Sequence, residues 1–274
     1  ENETNKLLKE FENDKNYKIL GSKSLPECME EENSLDGVDA VFISCPRSES
    51  RDSFIKSCNK KGVRIFFIPT VDDMLVNAAT PVHMFHKPVM TVRLDKSSPD
   101  YRAVKRLIDI IASLAGIVVL WPFMLITAIL VKAGDGGPCI YKQKRLTKNG
   151  KVFELYKFRS MRVDAEADGV ARLSTGDKDN RITPFGKIMR KCRLDELPQL
   201  FNILKGDMTI VGPRPERPEI SAKYEETLPE FRLRLEVKAG LTGYAQVYGA
   251  YNTTPEDKLK LDLMYISKAS LLED

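Results

Sequence analysis

Residues 107–131 read "LIDIIASLAGIVVLWPFMLITAILV". These 25 residues carry a single charge, Asp109, and exceed the length a helix needs to span the apolar part of a bilayer. A buried core helix is the alternative, but so long a run that is apolar on every side is rare in soluble helices. Pro122 lies mid-run and is expected to kink or break the helix. Basic residues stand on both flanks: Arg102, Lys105 and Arg106 before, Lys132, Lys142, Lys144 and Arg145 after. A segment that crosses a membrane is expected to show an asymmetric charge bias. Symmetric flanks fit one that enters, turns at Pro122 and returns to the cytoplasmic face. The run is internal and has no cleavage site, so it is not a signal peptide.

On either side of this run the chain changes character. Residues 1–100 carry 14 Lys and Arg against 17 Asp and Glu, and the remainder carries 29 against 22. A basic surplus in one half points to phosphate-rich partners or to a solvated face. Residues 1–95 read as an α/β unit, with a polar helix near 3–14, a short strand around 17–20, a strand in "VDAVFISCP", a helix in "SRDSFIKSCNKKG" and a strand in "VRIFFIP". Strands alternating with helices predict a parallel, Rossmann-like sheet, and no GxGxxG supports dinucleotide binding. The chain starts without Met and partway through such a unit, so it reads as a piece of a longer polypeptide. Five widely spaced cysteines without a CxxC indicate neither a disulfide framework nor a zinc site, and the chain reads as reduced and cytosol-facing. The two histidines, His83 and His86, sit in the Pro-containing connector "TPVHMFHKPVM". Acid–base or nucleophilic chemistry in the basic half therefore falls to carboxylates, lysines, tyrosines or hydroxyls.

Downstream, "CIYKQKRLTKNGKVFELYKFRSM" reads as a Lys- and Arg-studded hairpin turning at Asn149-Gly150. "RITPFGKIMRKC" predicts a helix capped by Thr183, with Pro184 in its first position and Phe185, Ile188, Met189 and Cys192 on one face. It delivers Lys187, Arg190, Lys191 and Arg193 to the start of "RLDELPQLFNILKGDMTIVGPRPE", residues 193–216. There Leu197, Leu200, Phe201 and Leu204 describe one face of a short helix, with Asp195 at the N-cap, Pro198 in the first turn and Gly206 as the stop. Capping and catalysis do not exclude each other, because a carboxylate at a helix N-terminus is held ionised beside a site suited to phosphate. Near the end, "TTPEDKLKLDLMYIS" repeats the Thr-Pro start, with Leu259, Leu263 and Ile266 on one stripe that suits core packing or a membrane interface.

Over residues 101–274 the chain resembles the bacterial sugar transferases, the polyprenyl-phosphate hexose-1-phosphate transferases that begin capsule, O-antigen and exopolysaccharide assembly. The resemblance rests on "KRLIDI" at the head of the Pro-interrupted segment, "KFRSM", "LDELPQLFNILKGDMTIVGPRPE" and "GLTGYAQVYGAYNTTPEDKLKLDLMYI", in that order. The first half is similar to the Rossmann-like domain of the family's long form. Ala239 stands where the family often has Pro, and Ala250 where Lys or Arg is usual. The chain also stops soon after the "YI" block, so a terminal helix of the family is expected beyond it.

The resemblance implies an α/β protein: a partial Rossmann-like domain over 1–95, then a mixed α+β, membrane-associated transferase domain over 101–274 with a Pro-broken re-entrant helix at 107–131. It implies that Asp195, of the Asp195–Glu196 pair, attacks the sugar-linked phosphate of a UDP-sugar, releases UMP and carries a phosphosugar that polyprenyl phosphate then accepts. Attack by an anion on a diphosphate needs charge neutralisation, for which Mg²⁺ on Asp195 and Glu196 is expected. Arg214, Arg190, Lys157 and Arg159 are the expected phosphate contacts. The bilayer is an expected partner, at the cytoplasmic face of a bacterial inner membrane. The rival reading is a catalytically inactive, membrane-anchored binding module of the same pathway, against which the intact acid pair counts. Nucleic acid is not expected, since a stacking surface of interleaved aromatics is missing. The sugar and the oligomeric state, a homo-oligomer included, stay open.

Overall fold

The computed structural model describes residues 8, 18–31, 34–84, 87–163, 165, 179–249 and 253–274. The chain divides into two compact units, Glu1–Met74 and Leu75–Asp274. The first unit holds helix α1 (Leu25–Glu30) and a βαβ element: β1 (Ala40–Ile43), α2 (Glu49–Lys60) and β2 (Arg64–Phe67). β1 and β2 pair in parallel with Ala40 opposite Arg64, as the alternation of strand and helix predicts. Ser48 caps α2 by accepting from the Arg51 amide, and Phe54 and Cys58 close its inner face over Leu35, Ile43 and Val63. Residues 18–20 form no strand, and of the helix expected near 3–14 Leu8 alone, which is helical, lies among the described residues. Helix α3 (Val71–Asn77) ends the βαβ run.

The connector expected around His83 is instead a β-hairpin of β3 (Ala79–Met84) and β4 (Lys87–Val92), while His86 lies outside the described residues. Pro81 and Pro88 argue against central strands, but each strand here has one neighbour only, so a missing N–H can face outward.

The apolar run belongs to α4, Pro99–Asp135, 37 residues capped by Ser98 at one end and by Gly136, at φ 71°, at the other. It is long and apolar enough to cross a membrane. The break expected at Pro122 does not occur. The helix continues through it, since a lost N–H and a displaced carbonyl can be absorbed by the intact turns on either side. Arg106 and Asp109 are among the residues that anchor its first third. Arg106 donates to the carbonyls of Ile203 (2.5 Å) and Leu204 (2.7 Å), satisfying groups that a helix C-terminus leaves open. Asp109 is buried and accepts from Thr209 Oγ1 (2.7 Å) and the Ile210 amide (3.0 Å). Farther along, Met124, Ala128 and Val131 pack with Phe158 and Met189.

β5 (Ile140–Leu146) and β6 (Val152–Phe158) form the expected hairpin. Asn149 and Gly150 both have positive φ (60° and 74°), the signature of the type I′ turn read from the sequence. Helix α5 (Pro184–Lys191) starts as expected, with Thr183 Oγ1 accepting from the Gly186 amide. Its Met189 is buried, whereas Ile188 and Cys192 of the same predicted face are exposed. Then follow a 3₁₀ turn at Leu194–Glu196, α6 (Gln199–Lys205), β7 (Thr209–Val211), α7 (Pro218–Thr227), a 3₁₀ helix at Pro229–Glu236, β8 (Gly240–Thr242), α8 (Tyr244–Val247) and α9 (Pro255–Lys268). β7 and β8 pair in parallel. Leu259, Leu263 and Ile266 of α9 are fully buried, so their stripe packs into the core.

Candidate active site

Asp195 does not cap α6. Arg193 adopts a left-handed conformation (φ 58°, ψ 17°) and opens the 3₁₀ turn that holds both acids, while Pro198 occupies the N-cap position of α6. The tight turn rotates Asp195 and Glu196 inward, and both are buried. It also shifts the phase of α6, so that Asn202 and Ile203 face the core and Phe201 is exposed.

Cations from three segments converge on Glu196. Lys157 of β6 lies 3.2 Å from its Oε1, Arg214 of the loop after β7 lies 2.9 Å from the same atom, and Arg193 approaches Oε2 at 3.4 Å. Burial works against ionisation of Glu196, but Arg214 and Lys157 outweigh it and hold the carboxyl at about 2. Its neighbour goes the other way. Burial, helped by the Glu196 charge, pushes Asp195 above the ordinary aspartate value against the pull of Lys157 and Arg190. Lys157 itself is lowered to about 8 by burial and by the Arg214 charge, despite both acids.

Of the expected phosphate contacts, Lys157 and Arg214 therefore meet the acid pair directly, and Arg190 acts on Asp195 through its charge. Arg159 is placed differently. Its buried guanidinium lies so close to Gly137, just beyond α4, that a Cβ there would stand 2.2 Å from Nη1. Among the described residues it is not one of the cations on Glu196.

The position of Arg214 is fixed through its backbone. β7 is followed by Gly212, whose amide donates to the Thr242 carbonyl (2.8 Å) and whose missing Cβ would stand 2.6 Å from the Lys238 carbonyl oxygen. The next four carbonyls all accept. That of Pro213 takes the Gly240 amide (2.9 Å), that of Arg214 takes Arg234 Nη2 (2.8 Å), that of Pro215 takes Arg145 Nη1 (2.9 Å), and that of Glu216 takes the Leu146 amide (2.9 Å). The Glu216 side chain is buried with Lys258 at 2.8 Å and Arg145 and Arg234 at 3.7 Å, and Arg234 also stands 2.7 Å from the buried Asp262.

The bacterial sugar transferase model matches residues 100–274. The chain belongs to the bacterial sugar transferase family. The matched region contains the acid pair and every cation around it. Among similar proteins, the UDP-N-acetylgalactosamine-undecaprenyl-phosphate N-acetylgalactosaminephosphotransferase of Aeromonas hydrophila is 34% identical over 81% of this chain and 52% of its own length. The UDP-glucose:undecaprenyl-phosphate glucose-1-phosphate transferase of Xanthomonas campestris pv. campestris is 35% identical over 86% of this chain and 51% of its own length. The exopolysaccharide production protein PSS of Rhizobium leguminosarum bv. phaseoli is 41% identical over 62% of this chain and 89% of its own length. The chain thus spans about half the length of the first two relatives. The names of these two relatives differ in the sugar, N-acetylgalactosamine in one and glucose in the other.

Among the described residues no three His, Cys, Asp or Glu side chains group as a metal cage. A divalent ion that keeps several waters and binds substrate phosphates needs only one or two carboxylates. Asp195 and Glu196 are hard oxygen donors that fit that requirement.

Proposed function

We propose that this protein transfers a sugar 1-phosphate from a UDP-sugar to polyprenyl phosphate and releases UMP. The reading is carried by one observation: a buried acid pair, in the region that matches the bacterial sugar transferases, is surrounded by cations suited to a diphosphate. Asp195 is the nucleophile. Its raised basicity strengthens attack by the ionised carboxylate, and a carboxylate oxygen forms a bond to the sugar-linked phosphorus. The bond from that phosphorus to the bridging oxygen breaks, and UMP leaves with the electron pair. A polyprenyl phosphate oxygen then attacks the same phosphorus, forms the diphosphate and frees the Asp195 carboxylate.

Glu196 holds Arg214 and Lys157 at the site before substrate arrives, and the diphosphate then shares those charges. Mg²⁺ held by Asp195 and Glu196 would neutralise charge that develops on the phosphoryl oxygens. Arg190 is proposed to bind the same phosphates. Arg159, buried beside Gly137, is proposed to contact them as well.

The apolar helix is proposed to lie in the bilayer with both flanks at the cytoplasmic face. Support comes from its packing: Arg106 and Asp109 near one end, and Met124, Ala128 and Val131 near the other, all contact the same catalytic unit. Ends on opposite sides of a membrane would draw that unit through the bilayer. Cysteines placed at positions 102 and 142 should both resist labelling from outside intact cells, and labelling of one alone would establish a crossing. The βαβ element is read as part of a Rossmann-like domain.

The test of the reaction omits the lipid. Given Mg²⁺, a panel of UDP-sugars and no polyprenyl phosphate, the protein should release UMP in a burst no larger than one per active site and gain the mass of one phosphosugar. Asp195→Asn should do neither. Release that begins only when polyprenyl phosphate is added would instead establish direct transfer in a ternary complex.

A further inference from the structure

We infer that Arg145 and Arg234 are positioning residues for Arg214. They act by holding the backbone of residues 214–216, so that the Arg214 guanidinium is presented to the phosphates in a fixed direction. The inference rests on the proposed role of Arg214 at the substrate phosphate.

Neither residue contacts the acid pair in the described structure. Arg234, in the 3₁₀ helix Pro229–Glu236, is 2% exposed, and Arg145, on β5, is largely buried. Each spends one guanidinium nitrogen on a carbonyl of the loop, Arg214 and Pro215 respectively. Each also faces Glu216 at 3.7 Å, so the two arginines clamp the loop through both its backbone and its one buried acid. Lys258 adds a third cation at 2.8 Å from Glu216, and Asp262 balances Arg234 at 2.7 Å.

A cluster of this kind is a poor source of stability. Removing several charges from water costs more than their mutual attraction commonly returns, and apolar replacements of similar volume are often neutral or stabilising. What it supplies is direction. Two planar, multi-donor groups arriving from separate elements over-determine a short loop in a way that a single ammonium cannot. The side chain they do not touch, that of Arg214, is the one aimed at Glu196, with 35% of its surface open to solvent. A rigid backbone beneath a partly open cation lets the guanidinium exchange Glu196 for a phosphate oxygen without the loop moving.

The experiment uses the full chain in detergent and follows single-turnover UMP release. Arg234→Lys, Arg234→Met and Arg145→Lys are measured alone and in combination with Arg214→Ala. Each single change should lower the maximal burst rate by about 100-fold, the loss expected for misplacement on the order of 1 Å, with KM for the UDP-sugar moving much less. Each should add little further loss on top of Arg214→Ala, because the arginine they position is already gone. Arg145→Lys and Arg234→Lys keep the buried charge balance, so they carry the test if Arg234→Met does not fold. Losses that multiply with that of Arg214→Ala, or that track a fall in the thermal midpoint, would overturn the inference and leave both arginines as fold elements. Full burst rate in Arg214→Ala itself would instead sink the reading of Arg214 as a phosphate contact, whatever the other variants do.

Discussion

Two carboxylate pairs lie in the second unit and are built from the same materials. Asp195 and Glu196 meet Lys157, Arg193 and Arg214; Glu216 and Asp262 meet Arg145, Arg234 and Lys258. In each pair burial pushes one acid up, Asp195 in the first and Asp262 (to about 6) in the second, while neighbouring cations overcome burial and hold the other, Glu196 or Glu216, down. They differ in their arginines, while their lysines are alike in exposure. Arg193 and Arg214 of the first pair are 65% and 35% exposed, whereas Arg145 and Arg234 of the second are 17% and 2% exposed. An open arginine can change partners more readily than a sealed one. The same ionic chemistry thus leaves arginines open to solvent beside one acid pair and seals them beside the other.

The largest effect should come from the chemistry of the first pair. Asp195→Asn should lower UMP release by about 10³-fold or more while leaving the thermal midpoint unchanged or raised, since it removes a charge whose burial is unfavourable. An Asn variant with normal burst kinetics would make Asp195 a spectator. Next in size, Arg214→Ala should slow the burst by about 10² to 10³-fold without altering its limiting amplitude, as loss of a charge-stabilising donor does. An amplitude that falls with the rate would place Arg214 in folding or binding instead.

The two pairs should also separate by pH. Glu196 titrates at about 2 when folded against an ordinary 4.5, so its stabilising contribution is complete above pH 4.5 and disappears as pH falls towards 2. Asp262 titrates at about 6 against an ordinary 3.8, so the folded chain keeps a proton that the unfolded chain has lost between these values. Its contribution is complete below about pH 4 and declines as pH rises through 6. Thermal midpoints measured from pH 3 to 8 should lose the first slope in Glu196→Gln and the second in Asp262→Asn. Unchanged slopes would show that these two acids do not carry them. The smallest effect belongs to Arg193→Gly: relief of a left-handed residue offsets the loss of a mostly exposed ion pair, so stability should move by less than about 1 kcal/mol. A thermal midpoint shifted by more than about 4 °C would make that pair a strut as well.

Legibility followed the range of the signal. Local chemistry was read correctly where a few adjacent residues decide the outcome, as at the Thr183 and Thr254 caps, the Asn149-Gly150 turn and the βαβ run. The cap assigned to Asp195 failed because the conformation of Arg193 and the proline at 198 impose a 3₁₀ turn that periodicity does not register. The hairpin at 79–92 was missed because proline demotes a strand only where both edges are paired. Lys157 and Arg214 were named through motifs, but their convergence on Glu196 depends on strand register and on a loop whose supports lie far away in sequence. For those supports the sequence carries one signal. Asp262 shares a helical stripe with Leu259, Leu263 and Ile266, and a charge on a buried face requires a buried partner.

The side chain of Asn202 accepts from the Tyr156 amide (2.9 Å) and donates to the Glu154 carbonyl (2.7 Å). It occupies the open edge of β6 as one peptide unit of an adjoining strand would. A bare edge invites pairing with another chain, and a hairpin without a neighbour can slip along its partner by one residue. Such a slip would turn Lys157 away from the acids and Leu155 out of the core. The amide of Asn202 therefore works as a ratchet stop: Asn202→Leu, nearly equal in volume, should leave the fold compact while freeing the hairpin to shift, and the damage would be recorded at Lys157, a residue that Asn202 does not hold.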